Sequence, residues 1–118
     1  MSDTFELYDL RITVDEIRGL CTCNHQVGDY FELIGGKLSL PPGQSFCLYA
    51  LQSAIPLLPA KQRQTHPNDW MSTDALVTCP DPACGMIMRI ERVEQRTLHH
   101  SDVSTVALKS SQDTSEAH

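Results

Sequence analysis

Between Phe46 and Ala60 the chain is almost bare of polar side chains, with Gln52 and Ser53 as interruptions and Pro56 and Pro59 as the only breakers. A segment this apolar cannot sit on a surface by itself, so it dictates what must surround it. Pro41-Pro42-Gly43 breaks the chain just before it, and Ser45 is placed to cap a helix running from Phe46 to Leu58. Within that helix Cys47, Leu51, Ala54 and Leu58 fall on one buried stripe, and the prolines are expected to end it. The stretch is too short to cross a bilayer. It must therefore be covered by a sheet and, on its outer side, by either the 61–74 loop or the second subunit of a homodimer.

The sheet is legible in the alternation of apolar and polar residues. Leu10, Ile12 and Val14 alternate with Arg11 and Thr13, which predicts a strand over Tyr8–Val14 and a bulge or bend at Asp15-Glu16-Ile17. A second strand is expected over Val27–Ile34, closed by Gly35-Gly36, a third over Ala75–Cys79, and a fourth over Gly85–Glu91. Trp70 and Met71 are the apolar residues expected to anchor the polar segment Lys61–Asp74. The order β-β-α-β-β with short connections implies an α+β fold, a mostly antiparallel sheet with one apolar helix packed on it. A chain of 118 residues with 41% hydrophobic content suits one such domain. Its expected extent is 1–96, because 97–118 is rich in Ser, Thr, Asp and Glu and reads as a disordered polar tail.

Nine Lys and Arg against fifteen Asp and Glu give a net charge of −6, and the cations are scattered. That balance excludes a nucleic-acid partner, whose phosphates demand clustered positive charge. No basic segment followed by an apolar run opens the sequence, so a cytoplasmic location with no membrane partner is expected. In that compartment cysteines stay reduced, and their odd number, five, also speaks against a disulfide framework. The thiols are then either small buried hydrophobes or chemistry.

Their positions favour chemistry. Cys21, Cys23 and His25 crowd one loop, Cys47 opens the apolar helix, and Cys79 and Cys84 bracket the turn Pro80-Asp81-Pro82-Ala83. Cys47 at the second helical position would meet free backbone N–H groups, which favour a thiolate. Cys79 ends a strand beside proline, where side chains are held rigidly. Asp81 either orients His25 through its second nitrogen or bonds its own turn. The cluster lacks the paired CxxC knuckles of a zinc ribbon.

Several motifs together resemble a known group. Tyr8-x-Leu10-x-Ile12-Thr13-Val14, Arg18-Gly19, Cys21-x3-His25-x-Val27-Gly28-Asp29, Pro42-x4-Cys47-x2-Ala50, Ile55-Pro56, Cys79-Pro80-Asp81 and Ile90-Glu91-Arg92 fall in order. The pattern is similar to a family of small Cys/His proteins of archaea, bacteria and some fungi that has no established activity. The resemblance implies that Cys21, His25, Cys47 and Cys79 are the thiols and imidazole that count. Three cysteines and one histidine would complete a shell for zinc or iron.

Two functions are compatible with these residues. The first is a small enzyme of the isomerase, lyase or hydrolase type acting on a small organic metabolite. It would use a metal with an open position, or a Cys47 thiolate with His25 as acid-base and Asp81 behind it. The second is a non-catalytic accessory or interaction module whose closed zinc site stabilises the core.

Overall fold

The computed structural model describes residues 2–109. Five antiparallel strands form one sheet in the order β3-β2-β1-β5-β4. The strands are β1 (Thr4–Ile17), β2 (Tyr30–Ile34), β3 (Lys37–Ser39), β4 (Leu76–Thr78) and β5 (Met86–His99). The α+β architecture expected from the sequence is present. The order differs by one strand, because Gly35, at φ +60, turns the chain into the short β3, which has no apolar alternation to announce it.

β1 and β5 are the frame. They pair from Thr4↔His99 to Ile17↔Met86, with one extra residue on each strand. Val93 is the extra residue on β5, between Glu94 and Arg92. Asp15 is the extra residue on β1, where the sequence predicts a bulge, and its carboxylate pairs with Arg89 at 3.2 Å. The strand continues past it to Ile17 because the bulge re-aims the side chains without ending the ladder. Leu10, Ile12 and Val14 from β1, Phe31 and Leu33 from β2, and Met86, Met88 and Ile90 from β5 make the buried face.

That face is covered by α1 (Leu48–Ala54), a 3-10 turn (Ile55–Leu57) and α2 (Leu58–Lys61), with Ala50, Ala54 and Leu58 inward. The helical path begins two residues later than expected. Cys47 is its N-cap residue (φ −63°, ψ 125°), so it stands just outside the helix, and Ser45 caps nothing. Nor does Pro56 end the path. It sits in the first turn of the 3-10 segment, where a proline nitrogen has no hydrogen bond to lose, and Pro59 does the same for α2.

The 61–74 segment is held by cations rather than by its aromatic. Trp70, in α3 (Trp70–Thr73), is 70% exposed, whereas Lys61 is only 4% exposed. Lys61 Nζ donates to the carbonyls of Met71 (2.8 Å) and Asp74, and burial, with Arg92 nearby, pushes its ammonium below the usual lysine value. Arg92 donates in turn to the carbonyls of Lys61 and Arg63. The loop does not cover the outer side of the helical path, where Leu48, Tyr49 and Ile55 stay exposed.

The domain also runs past residue 96. Thr97, Leu98 and His99 complete β5 against Glu6, Phe5 and Thr4, and α4 (His100–Val103) follows. Polar composition concealed this because an exposed strand end needs a partner's backbone, not an apolar face. The rest of the expected tail, 110–118, lies outside the described residues. Among the described residues, no helix is long and apolar enough to cross a membrane.

A candidate thiol site

Every cysteine of the chain reaches one open pocket of about 440 Å³, although the five come from three separate segments. The first segment leaves β1 at Arg18. Its backbone runs alongside the 83–85 turn, with Arg18, Gly19 and Leu20 N–H groups donating to the carbonyls of Gly85, Cys84 and Ala83 at 3.0–3.1 Å. Gly19 is obligatory there: a β-carbon would lie 1.9 Å from the Ala83 carbonyl oxygen. A tight turn, closed by the Asn24 N–H on the Cys21 carbonyl with Asn24 at φ 61°, then carries Cys21 and Cys23 over the pocket.

The second segment brings Cys47. Gln44 fixes its approach, its amide donating to the Tyr30 carbonyl (2.6 Å) and accepting from the Tyr30 N–H (3.3 Å), much as a strand would. The third is the Cys79–Cys84 turn. Cys79 N–H donates to the Met86 carbonyl (2.9 Å), and the Asp81 carboxylate accepts from the Ala83 N–H (3.0 Å). Asp81 therefore bonds its own turn and does not orient His25.

His25 has a different task from the one expected. Its Nε2 accepts the Cys47 backbone N–H at 2.9 Å, so its proton sits on Nδ1, which faces Asp29 Oδ2 at 3.3 Å. The ring packs against Phe46 (centroids 4.5 Å apart), which meets Phe31 edge-on. Both nitrogens are thus spent, and the imidazole is not among the residues that line the pocket. The orienting carboxylate is Asp29, four residues on, a spacing visible in the sequence as His25-x3-Asp29. His25 positions Cys47; it is neither acid-base partner nor ligand in this arrangement.

The thiols differ from one another. Burial alone would raise the Cys47 thiol, but the Ala50 N–H, the Cys23 thiol and the Tyr49 N–H all face its sulfur and bring it below the ordinary value. Conversely, the Cys23 thiol, directed at the Cys47 sulfur, is held up. Burial and the neighbouring Cys79 push Cys84 up to about 11. Cys79 and Cys84 are 8% and 6% exposed, while Cys23 lies open to solvent. Cys47 is accordingly the thiol best placed to react.

A zinc or iron shell of Cys21, His25, Cys47 and Cys79 is not assembled. His25 does not line the pocket, and among the described residues no group of three or more His, Cys, Asp or Glu side chains stands in metal-holding geometry. Cys23 and Cys84, set aside on the resemblance, also line the pocket. Comparison of the chain with models of protein families, with curated proteins and with solved structures gives no match.

Proposed function

We propose that this is a small thiol-dependent enzyme of the cytoplasm in which Cys47 acts as nucleophile toward a small organic metabolite held in the five-cysteine pocket. The observation that carries the reading is that Cys47, on the pocket wall, has its sulfur met by the Ala50 and Tyr49 N–H groups and the Cys23 thiol, which favour the thiolate. A thiolate of this kind adds to an electrophilic carbon or sulfur and leaves again, which suits the isomerase, lyase or hydrolase class. The walls fit an uncharged or cationic molecule. Tyr49, Met86 and Pro80 supply apolar surface, Asp81 supplies the one charge among the lining residues, and no Lys or Arg reaches it. The proton needed when the product departs is available from the Cys23 thiol, which already faces the Cys47 sulfur.

The test is graded alkylation with iodoacetamide followed by peptide mapping. Cys47 is expected to be labelled first, and Cys47→Ser to remove the fast phase. Initial labelling of any other cysteine defeats the reading.

One observation favours a second reading, a thiolate metal centre. All five cysteines border the same space, and thiolates are the soft ligands that zinc sites use. Metal analysis of untagged protein separates the two. Stoichiometric zinc that disappears in Cys47→Ser and Cys79→Ser supports the metal centre, and metal-free protein with a fast Cys47 phase supports the nucleophile.

A further inference from the structure

The pocket contains two thiol pairs with opposite exposure. Cys79 and Cys84 face each other below the Pro80–Ala83 turn and are both buried. Cys23 and Cys47 line the mouth of the same pocket, Cys23 open to solvent and Cys47 half-buried, and each thiol shifts the other. The two mouth residues come from different segments. Cys23 rides on the Cys21–Asn24 turn, which has no strand or helix to hold it, whereas Cys47 is fixed through its N–H to His25. One thiol anchored through its backbone beside one on a turn outside the sheet and helices is an arrangement in which a dithiol can close and reopen.

We propose that Cys23 and Cys47 form an exchange-competent dithiol that reduces small uncharged or cationic organic disulfides. This rests on the reading of Cys47 as the reactive thiol and goes beyond the isomerase, lyase or hydrolase class, because the chemistry is a reduction. In the first step the Cys47 sulfur, as thiolate, attacks one sulfur of R–S–S–R. The Cys47–S–S–R bond forms, the substrate S–S bond breaks, and R–S⁻ leaves and takes a proton. Cys23 then gives up its proton and attacks the Cys47 sulfur. A Cys23–Cys47 disulfide forms and the second R–S⁻ leaves, taking a proton in turn. Overall the protein dithiol loses two electrons and two protons, and the substrate becomes two thiols. The substrate class follows from the pocket: Asp81 is the charged lining residue, the lining contains no cation, and the chain carries a net charge of −6. Anionic disulfides are repelled and cationic ones attracted. Cys79 and Cys84 are only 8% and 6% exposed, so a dissolved disulfide meets the two mouth thiols first.

The experiment treats reduced full-length protein with hydroxyethyl disulfide, then counts thiols and maps cross-links by mass spectrometry. Two of the five thiols are expected to disappear, and the bridge to map to Cys23–Cys47. Cys23→Ser and Cys23→Ala are expected to stop at the mixed disulfide on Cys47, the first step being slower in Cys23→Ala, where a contact that favours the Cys47 thiolate is gone. Cystamine should react several-fold faster than glutathione disulfide at low salt, the gap closing as salt is raised. A mixed disulfide that persists on Cys47 in the unmutated protein overturns the dithiol while leaving Cys47 as the nucleophile. A bridge between Cys79 and Cys84, or between Cys21 and Cys47, overturns it as well. If Cys47 neither bridges nor alkylates first, both this proposal and the nucleophile reading fail. A faster reaction with glutathione disulfide overturns the substrate class.

Discussion

A histidine beside cysteines invites a role as ligand or base, and in this chain its neighbours decide otherwise. Because His25 accepts the Cys47 N–H, removing it leaves that donor unpaired and opens space beneath Phe46. A donor orphaned in this way costs about 1–3 kcal/mol. His25→Ala is therefore expected to lower the melting temperature by several degrees in a calorimetric scan, and to slow alkylation of Cys47 by loosening its backbone. If stability is untouched and only reactivity falls, the imidazole acts on the thiol directly and the positioning role is wrong. The pH profile of labelling gives a second check on the same residue. Facing N–H groups and the Cys23 thiol favour the Cys47 anion, so its reactivity is expected to rise with pH through a midpoint below that of an ordinary thiol, ~8.5. In Cys23→Ala one of these contacts is gone, and the midpoint is expected to move upward.

Among the elements, the 18–23 segment and the 79–85 turn matter most, since they supply two of the pocket's three walls and are joined where residues 18–20 lie against residues 83–85. The only residue that permits this approach is Gly19. Gly19→Ala would drive a methyl into the Ala83 carbonyl, and backbone cannot yield as a flexible side chain does. Overpacking of this kind costs about 1–3 kcal/mol. The variant is expected to melt earlier and to lose preferential labelling of Cys47, measured on the same peptide map. An unaltered map would mean that the two segments separate without consequence for the site. These contacts also explain what was legible at this scale. Alternation in Tyr8–Val14 and in the 86–90 stretch announced the paired core strands, because a half-buried strand must alternate. The strand ends at Thr4–Leu7 and Arg92–His99 carry mixed polar residues, so only the register of β1 on β5 identifies them.

For the molecule as a whole, the N-terminal strand is closed onto β5 by its last residues. Asp3 accepts from the Ser101 N–H (3.0 Å) and pairs with His99 (2.8 Å), and its carbonyl accepts from the His100 N–H. A chain ending at Arg96 is expected to melt several degrees below the full chain, since Thr4–Glu6 would lose its partner strand. An unchanged melting temperature would show that this end of the sheet contributes nothing. The charge pair makes closure depend on pH in a defined window. The Ser101 N–H and His99 hold Asp3 at about 2 against an ordinary 3.8, so its contribution is present above 3.8 and is lost as pH falls toward 2. Asp3 in turn raises His99 above its ordinary 6.5, so that contribution is full below 6.5 and is lost as pH rises through the raised value. The stability difference between the parent and Asp3→Asn, from urea titrations, is expected to be largest between pH 3.8 and 6.5 and to shrink on either side.

Periodicity and composition by themselves determined the α+β class, the antiparallel pairing of the core strands, a bulge or bend within Asp15-Glu16-Ile17 and the apolar helical layer, because each follows from which side chains must leave water. They also determined that cysteines gather at element ends. Only the tertiary structure decided which of those residues face a common space. The resemblance separated Cys21, His25, Cys47 and Cys79 from Cys23 and Cys84, but in space the histidine leaves that set and both remaining cysteines join the pocket. The physical reason is that a side chain's chemistry depends on the partner it meets. His25 meets a backbone N–H and Cys23 meets the Cys47 sulfur, and each meeting is set by a fold-back of the chain rather than by local spacing.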